Sequence, residues 1–276
     1  VGADLWFVGR PHSLLTEFDM PKLTIGILTM NEERRIAACI DSAAFADQII
    51  VVDSGSSDAT VQIAQDKGVE VFVYPDWQGF AVQRNRILQH TTGDWIFFLD
   101  ADELITPALA QEIRSVVDAN VDCVWEVAWE QIAYGQSLGR MRSSGGIPRL
   151  FPRDQIIQFE GVVHEGAKLK QPDLPVKLLK HRLPHYSRET IYGSLQKLAQ
   201  YVQLGAYKRL QAGKRGGVVR GIFSALANFI RLYFFHRGFL CGRAGFLHSF
   251  LVALECFFRY VALEIDRDYL KETKKR

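Results

Sequence analysis

The stretch Trp95-Ile96-Phe97-Phe98-Leu99-Asp100-Ala101-Asp102-Glu103 decides how this chain is read. Five consecutive apolar residues, rich in aromatics, are the pattern of a strand buried on both faces. That strand stops at two carboxylates one residue apart. A sheet buries apolar side chains, so acids collect where the backbone leaves the core. Spaced i and i+2, Asp100 and Asp102 point the same way if the segment stays extended. Two hard oxygen ligands on one side suit Mg²⁺ or Mn²⁺, which take carboxylate, water and phosphate oxygens. The same residues also fit a solvated strand-to-helix turn, with Thr106-Pro107 opening the next helix. The acids alone do not separate these readings.

Upstream, the pattern alternates strand and helix. Residues 23–28 read as a first buried strand, and the polar Thr29-Met30-Asn31-Glu32 leads into a helix expected over 33–44. A second strand over 48–53 ends in Asp53. The loop Ser54-Gly55-Ser56-Ser57-Asp58 follows it, with Ser57 or Asp58 capping a helix through Lys67. A strand over 69–74 and a helix over 79–90 complete the run into the stretch at 95–99. This order is that of a parallel α/β sheet, in which ligands bind beyond the carboxyl ends of the strands. Thr29, Asn31, Glu32, Asp53, Ser54, Gly55, Asp100, Ala101 and Asp102 all fall there. No GxGxxG follows the first strand and no GxxxxGK[ST] occurs, which argues against a dinucleotide oxidoreductase and a P-loop NTPase. Asp53 either hydrogen-bonds a ribose or base edge or caps its own loop.

Three motifs in this order resemble the family 2 glycosyltransferases of the GT-A fold. They are Thr24-Ile25-Gly26-Ile27-Leu28-Thr29-Met30-Asn31-Glu32, then Val51-Val52-Asp53-Ser54-Gly55-Ser56-Ser57-Asp58-Ala59-Thr60, then Asp100-Ala101-Asp102, within about residues 22–110. Two further stretches, Trp77 to Asn85 and Glu160-Gly161-Val162-Val163-His164-Glu165, resemble the subgroup of lipopolysaccharide inner-core β-glucosyltransferases that act on heptose.

The resemblance implies a Rossmann-like mixed sheet flanked by helices and a divalent metal, Mg²⁺ or Mn²⁺. It implies a UDP-sugar donor, UDP-glucose, and a lipid-linked saccharide acceptor. Asp102 is the expected metal ligand, and Asp100 contacts the ribose, or the metal through water. Gln83, Arg84 and Asn85 are expected to steady the nucleotide. Inversion at the anomeric carbon in one displacement needs a general base. Glu165 is the first candidate and Glu160 the second, while His164 either completes the metal shell or shares the base role. Rival readings are a transferase for a capsular or polyprenyl-linked acceptor and a non-catalytic nucleotide-sugar-binding membrane scaffold. A nucleotidyltransferase is a third, although it would carry a glycine-rich basic loop where Thr29-Met30-Asn31-Glu32 stands.

The 276 residues, 48% hydrophobic, suffice for one large domain with an appendage. Residues 1–19 match nothing around them and read as an N-terminal extension. Residues 20–190 read as the catalytic domain, with nucleotide-sugar binding in 20–110 and the acceptor side in 111–190. Arg140, Arg142, Arg149 and Arg153 crowd that second half, and each alone fits a solvated surface. Four scattered cysteines with no CxxC pair argue for a reducing compartment and against a zinc site.

The net charge of +2 conceals an asymmetry: residues 1–196 carry 18 Lys/Arg against 26 Asp/Glu, and residues 197–276 carry 15 against 5. The basic region 191–276 also shows apolar residues at helical spacing. Val219, Ile222, Phe223, Leu226, Phe229 and Ile230 form one run, and Phe246, Phe250, Leu254 and Phe257 a second. Counted as uncharged residues, neither run reaches the roughly 18–20 needed to span a bilayer. The expectation is two amphipathic helices, within 217–263, lying on an anionic membrane surface at its cytoplasmic face. Packing against the catalytic domain or a second subunit is the alternative, and no nucleic-acid partner is expected.

Overall fold

The computed structural model describes residues 20–142, 145–161 and 166–272. Residues 1–19, His164 and Glu165 lie outside the described residues. In chain order the N-terminal elements are β1 (Leu23–Thr29), α1 (Ile36–Ser42), β2 (Gln48–Asp53), α2 (Thr60–Asp66), β3 (Glu70–Val73), α3 (Phe80–His90), β4 (Trp95–Asp100) and α4 (Pro107–Ala119). The second half adds β5 (Val124–Val127), β6 (Trp129–Ala133), β7 (Gln136–Ser137), β8 (Ile147–Pro152), β9 (Ile156–Glu160), β10 (Gly166–Leu169), β11 (Val176–Leu178) and β12 (Leu183–Arg188). It ends in α5 (Ile191–Gln211), α6 (Val218–Ile230), α7 (Gly242–Ile265) and α8 (Arg267–Glu272).

The main sheet has seven strands in the order β11-β5-β8-β4-β1-β2-β3. β4, β1, β2 and β3 are mutually parallel, and β8 runs antiparallel between β4 and β5, so the sheet is mixed. Trp95 to Leu99 are all buried, as the uninterrupted apolar run requires. Alternate residues serve opposite faces. Leu23, Ile25, Ile27, Trp95, Phe97 and Leu99 pack with Ile36, Ile40, Leu109 and Ile113 of α1 and α4. Ile50, Val52, Ile96 and Phe98 pack with Ile87 and Leu88 of α3 and with Phe159 of β9. Gly26 lets α3 lie close, because a Cβ there would collide with Ile87. Thr106 caps α4 by accepting from the Leu109 amide at 3.2 Å, with Pro107 at the first helical position.

Two local expectations are corrected. The first helix spans Ile36–Ser42 rather than 33–44, because residues 32–35 form a turn whose Arg35 and Ile36 amides both reach the Glu32 carbonyl at 2.9 Å. The extended segment also ends at Asp100, so Asp102 sits in the turn that follows, although both acids line the same cleft.

The C-terminal region is helical. α5 and α7 share an apolar seam of Val202, Ala206, Ala262 and Leu263. α6 lies antiparallel on α7, with Gly216 near Glu264 and a Cβ at Gly221 falling 2.9 Å from the Phe257 carbonyl oxygen. Ala244 of α7 is buried with Ala133 and Leu138, which fixes the helices to the β6–β7 hairpin. The expectation that both apolar runs fall short of a bilayer is also corrected. The α6 helix continues in a wider turn through Arg231–Phe235, and Val218–Phe235 and Gly238–Ile265 are 18 and 28 residues long with mean hydropathies of 1.4 and 1.5. By length and composition alone each suffices to cross a membrane. Breaking the count at Arg220 and Arg231 missed this, because a helix carries isolated charges without ending.

Candidate active site

The carboxyl ends of β1, β2 and β4 open into a cleft of about 1040 Å³. Thr29, Glu32, Ser54, Asp100, Ala101 and Asp102 line its floor. Its opposite wall comes from β6 and β12 (Trp129, His185, Arg188) and from the C-terminal helices (Lys197, Tyr201, Arg231, His248). A second hollow, of about 620 Å³ beside Lys22, Asp94 and Arg153, lies at the other end of the strands, where α/β sheets do not carry their ligands.

Asp100 is held by arginine on two sides. Arg149, 2% exposed, donates from Nη2 to Asp100 Oδ2 and to Glu103 Oε1, each at 2.6 Å. Arg84 Nη2 stands 3.7 Å from Asp100 Oδ1, with its guanidinium over the rings of Phe98 and Phe159. Burial alone would raise the Asp100 carboxyl, but Arg149 and Arg84 outweigh it and hold the group down to about 2. Glu103, fully buried, also accepts from the Trp129 indole at 2.6 Å and the Asp100 amide at 2.9 Å. Burial pushes its carboxyl upward against the pull of Arg149. The solvated surface expected for Arg149 is therefore corrected: it is the buried tie that fixes the first acid of the pair.

Asp102 lines the cleft together with Asp100 and pairs with the opposite wall. Its Oδ2 lies 3.3 Å from His185 Nε2 and 3.7 Å from Lys197 Nζ. Burial would lower the His185 imidazole, yet its hydrogen bond to Asp102 and the charges of Asp102, Glu103 and Asp100 raise it overall. Among the described residues no group of three or more His, Cys, Asp or Glu clusters as a complete metal site. Asp102 and His185 do bring a carboxylate oxygen and an imidazole nitrogen together at the cleft. The Asp102 carboxylate suits Mg²⁺ or Mn²⁺, which prefer oxygen ligands and fill their remaining positions with water and substrate phosphate. Thr29 Oγ1, also in the lining, is buried without a hydrogen-bond partner. Burial, and next the charge of Asp102, raise the Glu32 carboxyl to about 7.

The other residues singled out in the sequence are placed as follows. Asp53 is fully buried, and its carboxylate accepts from the amides of Gly55 and Ser56 at 2.8 Å and from the Ser56 hydroxyl, so it caps its own loop. Asn31 takes a left-handed conformation (φ 55°), its side-chain oxygen accepts from the Ser57 amide at 2.8 Å, and its own backbone amide donates to Ser56 Oγ at 2.8 Å. It clasps the two loops together at the rim. Gly55 has φ 94°, and a Cβ there would press on Pro75 at 3.0 Å. Gln83 is buried and donates to Ser54 Oγ at 2.8 Å. Asn85 pairs with both backbone groups of Phe159, tying α3 to β9. Glu160 stands on open surface beside Lys168 and Gln158, outside the cleft lining. His185, Lys197, Glu103 and the burial of Arg149 were not read from the sequence. His185 carries no local signal, since one histidine in a polar strand resembles any other, and its pairing with Asp102 spans 83 residues.

Residues 24–156 match the family described as Glycosyl transferase family 2. The lipopolysaccharide core biosynthesis glycosyltransferase LpsC of Rhizobium meliloti (strain 1021) is 31% identical over 249 residues, covering 86% of this chain and 91% of that protein. The chain belongs to the family 2 glycosyltransferases. An uncharacterized glycosyltransferase of Rickettsia felis is 30% identical over 262 residues, covering 88% of this chain and 90% of its own. Among solved structures, the mannosyltransferase PcManGT of Pyrobaculum calidifontis, in complex with GDP-Man and Mn²⁺, superposes with a TM-score of 0.55 at 15% identity, covering 90% of this chain and 88% of that one. That likeness is one of fold, and the mixed sheet with its flanking helices is the GT-A fold of this family. In family terms, the Asp100-Ala101-Asp102 segment closes the β4 strand at the place where the first two motifs also converge.

Proposed function

We propose that this family 2 glycosyltransferase moves a sugar, glucose, from a UDP-sugar to a lipid-linked saccharide, the lipopolysaccharide inner-core heptose, at the cytoplasmic face of a membrane. The observation that carries the reading is the acidic floor of the cleft, with Asp100 fixed and Asp102 paired with the opposite wall. The similarity to LpsC supports the acceptor class. The exposed apolar surface of the C-terminal helices, including Val219, Phe223 and Phe235, supports a place on the lipid surface.

Asp102, with His185, would hold Mg²⁺ or Mn²⁺ at the donor's diphosphate. Bound there, the cation neutralises negative charge that grows on the departing diphosphate, a gain larger in the transition state than in the ground state. Arg149 keeps Asp100 ionised and still, leaving it as an acceptor for donor hydroxyls or ordered water. The acceptor hydroxyl forms its bond to the anomeric carbon from the side opposite the leaving oxygen, so the centre inverts. Its proton passes to a carboxylate base, for which Glu165 is the candidate.

Thermal melts with a panel of UDP-sugars and ADP-heptose, with and without Mn²⁺, test the donor. UDP-glucose with Mn²⁺ is expected to give the largest upward shift, and Asp102→Asn is expected to remove its metal-dependent part. Equal shifts for wild type and Asp102→Asn would overturn the site. Glu165→Gln is expected to abolish transfer while leaving nucleotide binding intact.

A further inference from the structure

The cleft is bipolar. Its three carboxylates, Glu32, Asp100 and Asp102, occupy the strand-end floor, whereas the guanidinium groups of Arg142, Arg182, Arg188 and Arg231 belong to the rest of the lining, Arg188 on β12 and Arg231 on the continuation of α6. Among the described residues none of these four arginines forms an ion pair with a carboxylate. Two groups of that lining also lack partners. Arg188 Nη1, on the last residue of β12, and His248 Nδ1, on α7, are buried atoms without a hydrogen-bond partner. Folded proteins leave few such donors, because an unpartnered buried polar group costs free energy that an arriving ligand recovers.

Both residues line the same cleft, where an anionic ligand would offer acceptor oxygens to unpartnered N–H groups. The donor diphosphate belongs with the carboxylates of the strand-end floor, and neither of the two unpartnered atoms bonds to those carboxylates. The acceptor accounts for them. Leu232 and Val252 line the cleft beside these cations, on the same helices whose outer faces expose Phe223, Phe234, Phe235 and Phe250. A saccharide carried on a lipid anchored at that outer face arrives at the helical wall first.

We propose that Arg188 and His248, flanked by Arg231 and Arg142, form a subsite for an anionic group, phosphate or carboxylate, borne by the acceptor saccharide. This rests on the transferase reading above and adds that the enzyme selects charged acceptors. Guanidinium suits either oxyanion, because its paired N–H groups match two oxygens at once.

Full-length protein and Arg188→Gln are compared on three acceptors with UDP-glucose and Mn²⁺. These are core-truncated lipopolysaccharide as isolated, the same material dephosphorylated with hydrofluoric acid, and the same material with its carboxyls reduced. Wild type is expected to show about a tenfold rise in acceptor KM on losing one of the two groups, the scale of one charge-assisted hydrogen bond. Which treatment does so identifies the anion. Arg188→Gln is expected to show that raised KM on native acceptor and no further response to the treatment, with donor KM unchanged. Retained discrimination in Arg188→Gln, or a change confined to donor KM, overturns the subsite. A second measurement is independent of turnover: with UDP and Mn²⁺ filling the donor end, inorganic phosphate is expected to raise the melting temperature of wild type but not of Arg188→Gln or His248→Gln. Absence of transfer to any lipopolysaccharide sinks the acceptor assignment alone, while equal phosphate shifts in all three proteins sink the subsite.

Discussion

At the residue scale, the acid pair works because its two members are treated differently. Arg149 ties Asp100 to the buried Glu103, while Asp102 pairs with His185 and Lys197 across the cleft. Removing Arg149 strands the fully buried Glu103 carboxylate and takes from Asp100 one of its two arginines, a loss of about 3–5 kcal/mol. Arg149→Met is therefore expected to melt far below wild type, and adding Glu103→Gln is expected to recover part of the loss. A chemical-denaturation double-mutant cycle measures the coupling; strict additivity would show that the bridge does not join these residues. His248 carries a second prediction. Burial, and then the charge of Arg188, push its imidazole down from 6.5 to about 4. The folded state holds it neutral, so there is no penalty above 6.5; as pH falls from 6.5 toward 4 the unfolded chain takes up a proton that the folded one refuses, and stability drops. Melting curves from pH 7.5 to 4.5 are expected to fall more steeply for wild type than for His248→Gln, by an order of 2 kcal/mol at the acid end.

At the element scale, the α6–α7 pair is the unusual feature. Phe223 is 68% and Phe235 69% exposed, yet the inner side of the pair packs tightly through Gly221 against Phe257. α7 also lines the cleft with His248 and Val252, which places the pair beside the catalytic body and lets its outer face rest on lipid. Phe223→Asp combined with Phe235→Asp is expected to lower binding to phosphatidylglycerol vesicles at least tenfold in sedimentation, with the melting temperature little changed, since neither ring is in a core. Unaltered sedimentation would mean that another surface meets the membrane. Gly221→Leu is expected to act differently: a side chain 2.9 Å from the Phe257 carbonyl forces the helices apart, costing about 1–3 kcal/mol in thermal or denaturant unfolding.

At the scale of the whole molecule, charge is partitioned by region. An acidic body of residues 1–196 meets a basic helical region of 197–276, and the cleft lies on the boundary with carboxylates on one wall and guanidinium groups on the other. Vesicle association through the basic region is expected to weaken as salt rises from 50 to 500 mM, about as the screening length shortens from beyond 10 Å to a few ångströms. Salt-independent association would assign it to apolar burial alone.

The α/β character, the buried β4 strand and the convergence of polar motifs at strand ends were legible in the sequence, because apolar runs and turn residues are local signals. The same holds for the opening of α4 at Thr106-Pro107, whereas the sequence reading places Asp53 at the nucleotide with loop capping as the alternative, and the structure shows its carboxylate on amides two and three residues away. Tertiary structure alone decided that Arg149 is a buried bridge, that His185 stands beside Asp102, and that Arg188 and His248 line one cleft. Each of these pairings joins residues about 45 to 85 positions apart, and nothing in a local pattern encodes which distant side chain a charge will find. Propensity and periodicity act through neighbours along the chain, whereas the chemistry of the cleft depends on neighbours in space that only the packed sheet and its helical wall bring together.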